Sequence, residues 1–170
     1  MTKTYEVYSR YFLSSKDKKV VLTVLKKFLA TDIPTPKRVE ILKTRQGIDV
    51  FLVEEKGLLW RMDDQIYPTL LVPLLYENRM PRIFVDEGAV PHILNGADVM
   101  RPGIVDMVND FEEGDVVCIY EEKYRKPIAV GIALFSSDNM RKMSRGKVVK
   151  NIHHLKDKLW NFILQYSRLK

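Results

Sequence analysis

The string Gly96-Ala97-Asp98-Val99-Met100-Arg101-Pro102-Gly103 sets two glycines, a proline and an arginine in one short stretch. Gly96 can supply the left-handed backbone that closes a preceding helix. Pro102-Gly103 turns the chain tightly with little side-chain bulk. In such a loop the backbone approaches a ligand closely, and Arg101 beside it can meet a phosphate. A second concentration of chemistry lies further along, where Arg141, Lys142, Arg145, Lys147 and Lys150 crowd together. Cations at that density are the electrostatic footprint expected of contact with a phosphate backbone.

Other reactive residue types are poorly placed for chemistry. His153 and His154 are adjacent and so share no face in helix or strand, while His92 is distant, which argues against a histidine-built metal site. The lone Cys118 sits in the apolar run Val116-Val117-Cys118-Ile119-Tyr120, where a buried inert thiol is the expectation. Asp63-Asp64 and Glu112-Glu113 flank turns and have no fixed partner for acid–base work. Gly88, Gly96 and Gly103 do not build a nucleotide-binding loop, since no Gly-Lys-Ser/Thr follows a strand. Tyr5, Tyr8, Tyr11 and Phe12 offer either rings for base stacking or core and edge packing.

The elements that position these residues fall into two parts. Ser14 and Ser15 offer an N-cap to a helix over residues 16–30, with Val20, Val21, Val24, Leu25, Phe28 and Leu29 on its apolar face. Lysines occupy the other side, and Pro34 and Pro36 stop the run. Strands are predicted over 38–43, 48–54 and 58–62, in hairpin spacing that suggests an antiparallel sheet with the helix on one face. Residues 66–75, apolar but interrupted by Pro68 and Pro73, read as a short helix or buried connector. Arg79-Met80-Pro81 marks the expected boundary. Beyond it, short strands are predicted over 82–85, 104–108, 115–120, 127–135 and 146–152, a spacing that indicates a small barrel or sandwich. Short helices interrupt them near residues 88–94 and 137–143, the second capped by Ser136 or Ser137. Leu155, Leu159, Phe162, Ile163 and Tyr166 fall at helical spacing, and that helix is expected to pack back on the second module.

Composition narrows the function classes. The 170 residues carry 28 basic and 22 acidic side chains, a net charge of +6, and 46% hydrophobic residues. That is globular composition. One cysteine excludes an intramolecular disulfide framework and a cysteine-built zinc site, and it fits a reducing compartment. No apolar run approaches the ~20 residues of a membrane span, and the start MTKTYEVYSRYF lacks a signal-peptide core. The charge is uneven: residues 82–137 hold 5 basic and 10 acidic side chains, and residues 138–170 hold 9 basic and 2 acidic. Binding of a polyanion through one face fits this distribution better than uniform coating.

The glycine string stands in an ordered set of motifs: Val85-Asp86-Glu87-Gly88-Ala89, Phe111-Glu112-Glu113-Gly114-Asp115-Val116, Ala129-Val130-Gly131-Ile132-Ala133, Gly146-Lys147-Val148-Val149, and Asn151-Ile152-His153-His154-Leu155-Lys156-Asp157-Lys158-Leu159-Trp160. In this order and spacing, from Arg82 to Trp160, they resemble the PUA domain, a small RNA-binding barrel. The Asn-Ile-His-x-Leu-x-Asp-x-Leu-Trp ending, with Tyr67-Pro68-Thr69-Leu70 ahead of the domain, is similar to the malignant T-cell-amplified sequence family, and most of all to its archaeal members.

The resemblance implies an α+β fold: an α+β pre-PUA domain over residues 1–78, a PUA pseudobarrel over 79–160 and a C-terminal helical extension over 161–170. It further implies a non-catalytic, cytoplasmic RNA-binding protein of translation initiation or ribosome function, needing no cofactor or metal. Its implied partners are tRNA or small-subunit ribosomal RNA, the small ribosomal subunit and a separate translation factor, without a membrane. Eukaryotic relatives act together with density-regulated protein, whose domain has no counterpart in this chain. On the family pattern His153 is structural. The RNA-facing residues carried over are Gly96, Ala97, Arg101, Pro102 and Gly103, with Lys147 and Lys150 near the last strand. The charge cluster adds Arg141, Lys142 and Arg145. Two other readings stay open: an adaptor that docks a translation factor, and an accessory subunit acting in trans with an RNA-modifying enzyme.

Overall fold

The computed structural model describes residues 4–169 and divides into two compact units. One comprises the described residues up to Arg79 together with those from Lys158 onward, and the other is Met80–Asp157.

The first unit opens with β1 (Val7–Phe12) and α1 (Ser15–Phe28). Ser14 caps α1 as its spacing predicts, with its side chain accepting from the Asp17 N–H at 3.2 Å. A meander of β2 (Val39–Thr44), β3 (Asp49–Val53), β4 (Lys56–Met62) and β5 (Gln65–Pro68) follows, then α2 (Leu71–Leu75). The sheet order β1-β2-β3-β4-β5 is antiparallel throughout. Two elements differ from expectation. β1 arises from a segment read only as aromatic rings, and residues 66–75 split into the end of β5 and α2.

A half-covered sheet would alternate buried and exposed positions, but Val50, Phe51, Leu52 and Val53 of β3 are all buried, as are Leu58, Leu59 and Trp60 of β4. Both faces of the sheet are therefore covered, where one was expected. α1 packs against β5 and α2 against β4, and the extra cover is the terminal helix α5 (Lys158–Tyr166), which also lies on β4. Its destination corrects the expectation that it would pack on the second module. Gly57 makes the contact possible. A Cβ there would stand 3.0 Å from Ile163 Cβ, and the Gly57 N–H donates to Ser167 Oγ at 2.9 Å. Leu159, Phe162 and Ile163 are the buried side of α5.

The second unit contains β6 (Arg82–Val85), α3 (Val90–Ile93), β7 (Val99–Met100), a 3-10 turn (Arg101–Gly103), β8 (Ile104–Val108), β9 (Val116–Glu121), β10 (Pro127–Ala133), α4 (Ser137–Lys142) and β11 (Lys147–His154). The strand order is β7-β11-β10-β9-β6-β8, antiparallel except for the parallel pair β6–β9. Sheet and helices share one apolar core that includes Ile83, Ile93, Val117, Ile128, Met140 and Val149, which agrees with the curled, mostly-β pseudobarrel of the resemblance. Ser136 caps α4, accepting from the Asn139 N–H at 3.1 Å. Among the described residues no helix is long and apolar enough to cross a membrane.

Candidate nucleic-acid interface

The glycine string folds around the end of α3. Gly96 adopts φ +94°. Its N–H donates to the Ile93 carbonyl and the Ala97 N–H to the His92 carbonyl, both at 3.0 Å, which closes the helix in the manner that favours glycine. The chain then runs through β7 into the 3-10 turn. There the Arg101 N–H donates to the Gly146 carbonyl at 2.8 Å, and the Gly103 carbonyl accepts from the Asp86 N–H at 2.9 Å. A Cβ on Gly103 would meet the Ala89 methyl at 3.1 Å, so the turn comes close to the start of α3 only because Gly103 lacks one.

These contacts leave a groove of about 500 Å³, within the range of small-ligand sites. Ala89, Ile93, Val99, Met100 and Pro102 give it an apolar floor and wall, and Asp86, His92, Asp98 and Lys147 bring polar groups. Met100 is half exposed there.

β11 anchors the far side. Asn151 donates through Nδ2 to the carbonyls of Ile93 and Ala97, both at 3.0 Å, while its own N–H donates to Asp98 Oδ1 at 2.8 Å. Lys147 Nζ lies 2.9 Å from Asp98 Oδ2. Burial opposes ionisation of Asp98, but the Asn151 N–H, the Lys147 ammonium and the charge of Lys150 together hold its carboxyl below the usual carboxylate range. The result is a fixed carboxylate holding one cation at the groove's edge.

Of the ten residues proposed from sequence, Ala97, Pro102, Gly103 and Lys147 line the groove, and Gly96 shapes the loop that borders it. Lys150 is exposed on β11. Arg101 takes another part. Its Nε donates to the Met140 carbonyl at 2.6 Å and Nη1 to the Ile104 carbonyl at 3.4 Å, so the guanidinium ties the turn to α4. Arg141 on α4 is held by Asp110 at 3.2 Å and Asp138 at 3.1 Å. Lys142 and Arg145 are exposed and lie outside the groove lining. Sequence reasoning overlooked Asp98, Asn151, Met100 and His92. Asp98 and Asn151 stand inside the motifs that carried the resemblance, but nothing in the string says that one binds the other. His153 is fully buried, with Nδ1 2.9 Å from Asp157 Oδ2, and the same carboxylate accepts the His154 N–H at 2.9 Å.

Comparison with known proteins gives two family matches: the PUA domain over residues 81–155, and a domain of unknown function, DUF1947, over residues 9–76. The chain is 40% identical to an uncharacterized protein of Methanocaldococcus jannaschii, over 92% of this chain and 98% of that one. It is 30% identical to Malignant T-cell-amplified sequence 1-B of Xenopus laevis, over 81% and 78%. It is 28% identical to Translation machinery-associated protein 20 of Saccharomyces cerevisiae, over 78% and 77%. Among solved structures, a hypothetical protein of Pyrococcus horikoshii is similar with a TM-score of 0.78 at 39% identity, covering 91% of this chain and 99% of that one. A PUA-domain protein of Aeropyrum pernix, solved as its tartrate complex, gives 0.81 at 26%, covering 95% and 98%.

Proposed function

Because the chain belongs to the family of Malignant T-cell-amplified sequence 1 and Translation machinery-associated protein 20, with a DUF1947 domain followed by a PUA domain, we propose that it is a non-catalytic RNA-binding protein of the translation machinery, working in the cytoplasm on tRNA or small-subunit ribosomal RNA. The observation that carries this reading is the groove itself. An apolar slot bordered by open backbone stands against a strand that presents Lys147 and Lys150. A nucleotide fits the slot by its sugar and base, and the lysines hold the flanking phosphates. Lys142 at the end of α4 and Arg145 just after it, both exposed, extend the positive rim. Arg101, Asp98 and Asn151 act as positioning residues, which keep turn, loop and strand in register. The small ribosomal subunit and a separate translation factor are the partners this reading calls for.

Titration of labelled tRNA and of a small-subunit ribosomal RNA fragment at several salt concentrations tests it. Affinity should fall with salt, and Lys147→Glu with Lys150→Glu should weaken binding and flatten the logarithmic salt slope by roughly 1.4–1.8, two phosphate contacts' worth. Affinity that ignores salt, or survives that pair of substitutions, overturns the assignment.

A further inference from the structure

A second pocket, of about 240 Å³, lies wholly within the first unit. Its floor is a cross-strand row in which Phe12 of β1 stands opposite Glu40 of β2, and Glu40 opposite Leu52 of β3. The end of α5 and the chain beyond it supply the opposite side. The Arg168 N–H donates to the Glu55 carbonyl at 2.8 Å, which sets Tyr166 and Arg168 over the sheet beside Arg10 and Arg38.

The pocket therefore combines two aromatic rings with three guanidinium groups. Arg10 stands 5.7 Å from the centre of the Tyr166 ring, and Arg38 stands 6.0 Å from that of Phe12. The three arginines are not equivalent. Arg10 is locked by Glu40, through Nε and through Nη2 at 3.2 Å to Oε1. Arg38 has no ion pair among the described residues, and Arg168 faces Glu55 only loosely at 3.9 Å, with both side chains well exposed. Two guanidinium groups are thus available to an incoming anion. Phe12 is 61% exposed, far more open than a ring that serves only to pack. Tyr5, by contrast, packs edge-on against Phe162 at 5.5 Å and is half-buried.

We propose that this pocket binds one nucleoside phosphate, with the base stacked on the open Phe12 ring, the Tyr166 ring (itself packed on Phe162 at 4.8 Å) walling the far side, and the phosphate on Arg38 and Arg168. The volume lies below the roughly 300–1,000 Å³ of sites that enclose a whole drug-sized ligand, which suits one planar group with its phosphate at the rim. Forked guanidinium donors match phosphate oxygens, and a ring face accepts any base. The ligand is either a free nucleotide or one residue of an RNA strand.

Backbone amide NMR of the full chain tests the proposal. Titration with the four nucleoside 5′-monophosphates should shift signals of Arg10, Phe12 and Tyr166 saturably, with inorganic phosphate at least tenfold weaker. Arg38→Glu should weaken nucleotide binding at least tenfold. Phe12→Leu, which keeps an apolar side chain but removes the ring, should reduce the nucleotide affinity to that of phosphate. Lys147→Glu should leave the shifts at this pocket unchanged, so failure here and failure of the groove reading are distinguishable. A uridine hexamer that binds this pocket more tightly than the monophosphates identifies a strand, and one that binds no better identifies a free nucleotide. Absence of saturable shifts by 10 mM, equal binding of phosphate and nucleotide, or binding of an acidic peptide without nucleotide overturns the proposal.

Discussion

Gly131→Ala is the sharpest perturbation of the second unit that the structure offers. Gly131 lies in β10 opposite Asn151, beside a register shift between Val130 and Gly131. A Cβ there would stand 2.4 Å from Val149 Cγ1 and 2.8 Å from the Lys150 carbonyl oxygen. Unstrained carbon–carbon contacts sit at roughly 3.5–4.0 Å, so the first clash exceeds 1 Å. Val149 can relieve part of it by turning, although its side chain is fully buried. The carbonyl cannot move without shifting β11 itself. Overpacking of this kind costs about 1–3 kcal/mol, and the backbone clash argues for the upper half of that range. A loss of about 2 kcal/mol in a unit of this size lowers the thermal midpoint by roughly 8–16 °C. Both tryptophans, Trp60 and Trp160, belong to the other unit, so their fluorescence is the wrong probe. Hydrogen exchange followed by mass spectrometry reads β10 and β11 directly. Protection there should fall, while the β2–β4 meander keeps its own. Adding Val149→Ala should recover the side-chain part of the loss only. RNA affinity should fall as well, because β11 carries Lys147 and the Asn151 that holds the loop. A variant within about 0.5 kcal/mol of the parent, or one whose exchange in β11 is unchanged, would refute the reasoning.

Arg101→Ala and Lys147→Ala should part company. The first removes the charge-assisted bonds from the guanidinium to the Met140 and Ile104 carbonyls, of which Met140 keeps the Met143 N–H, and costs on the order of 1–3 kcal/mol in denaturant melts with an unchanged salt slope, whereas the second spares stability and lowers the slope by about 0.7–0.9. Asp98 is ionised below the ordinary carboxylate range, so its contribution is fully present above the unfolded value of roughly 3.9 and is lost as pH falls through the lower folded one. Asp98→Asn should remove that acid-side loss in pH-dependent melts and, by releasing Lys147, tighten RNA binding at neutral pH. The Cys118 thiol is fully buried and pushed up to about 12 by that burial. It should therefore resist a disulfide reagent at pH 8 in the folded chain and react only at the rate at which the second unit opens.

The sequence disclosed the second unit more readily than the first, for reasons visible in particular residues. Gly96 had to be left-handed to end a helix, and Ser136 had to cap one, because both are local requirements met by near neighbours. β1 lacked such a signal. An edge strand of Val7-Tyr8-Ser9-Arg10-Tyr11-Phe12 with four of six positions exposed has no clean apolar alternation. α5 showed its apolar stripe but not its destination, since Ile163 and Phe162 fit any apolar surface and only the bare backbone of Gly57 selects this one. The site divides in the same way. The loop's backbone behaviour was local and legible. The part taken by Arg101 was not, because its acceptor Met140 lies 39 residues away, and Arg141 is likewise claimed by Asp110 from 31 residues away as well as by the local Asp138. A cation in a string signals charge, and only the fold decides whether an acid or a carbonyl has already claimed it.

The first unit is completed by the final residues of the chain, and the second is wholly encoded between its two pieces. A chain reaching only to Asp157 therefore contains everything the second unit needs while β4 still lacks its covering helix. The unit that begins first must finish last. A chain ending at Asp157 should hold a protease-resistant second unit beside a susceptible first one, and residues 158–170 should close the first. Loss of residues 158–170 should likewise unfold the meander at a temperature at which the strands from β6 to β11 remain intact.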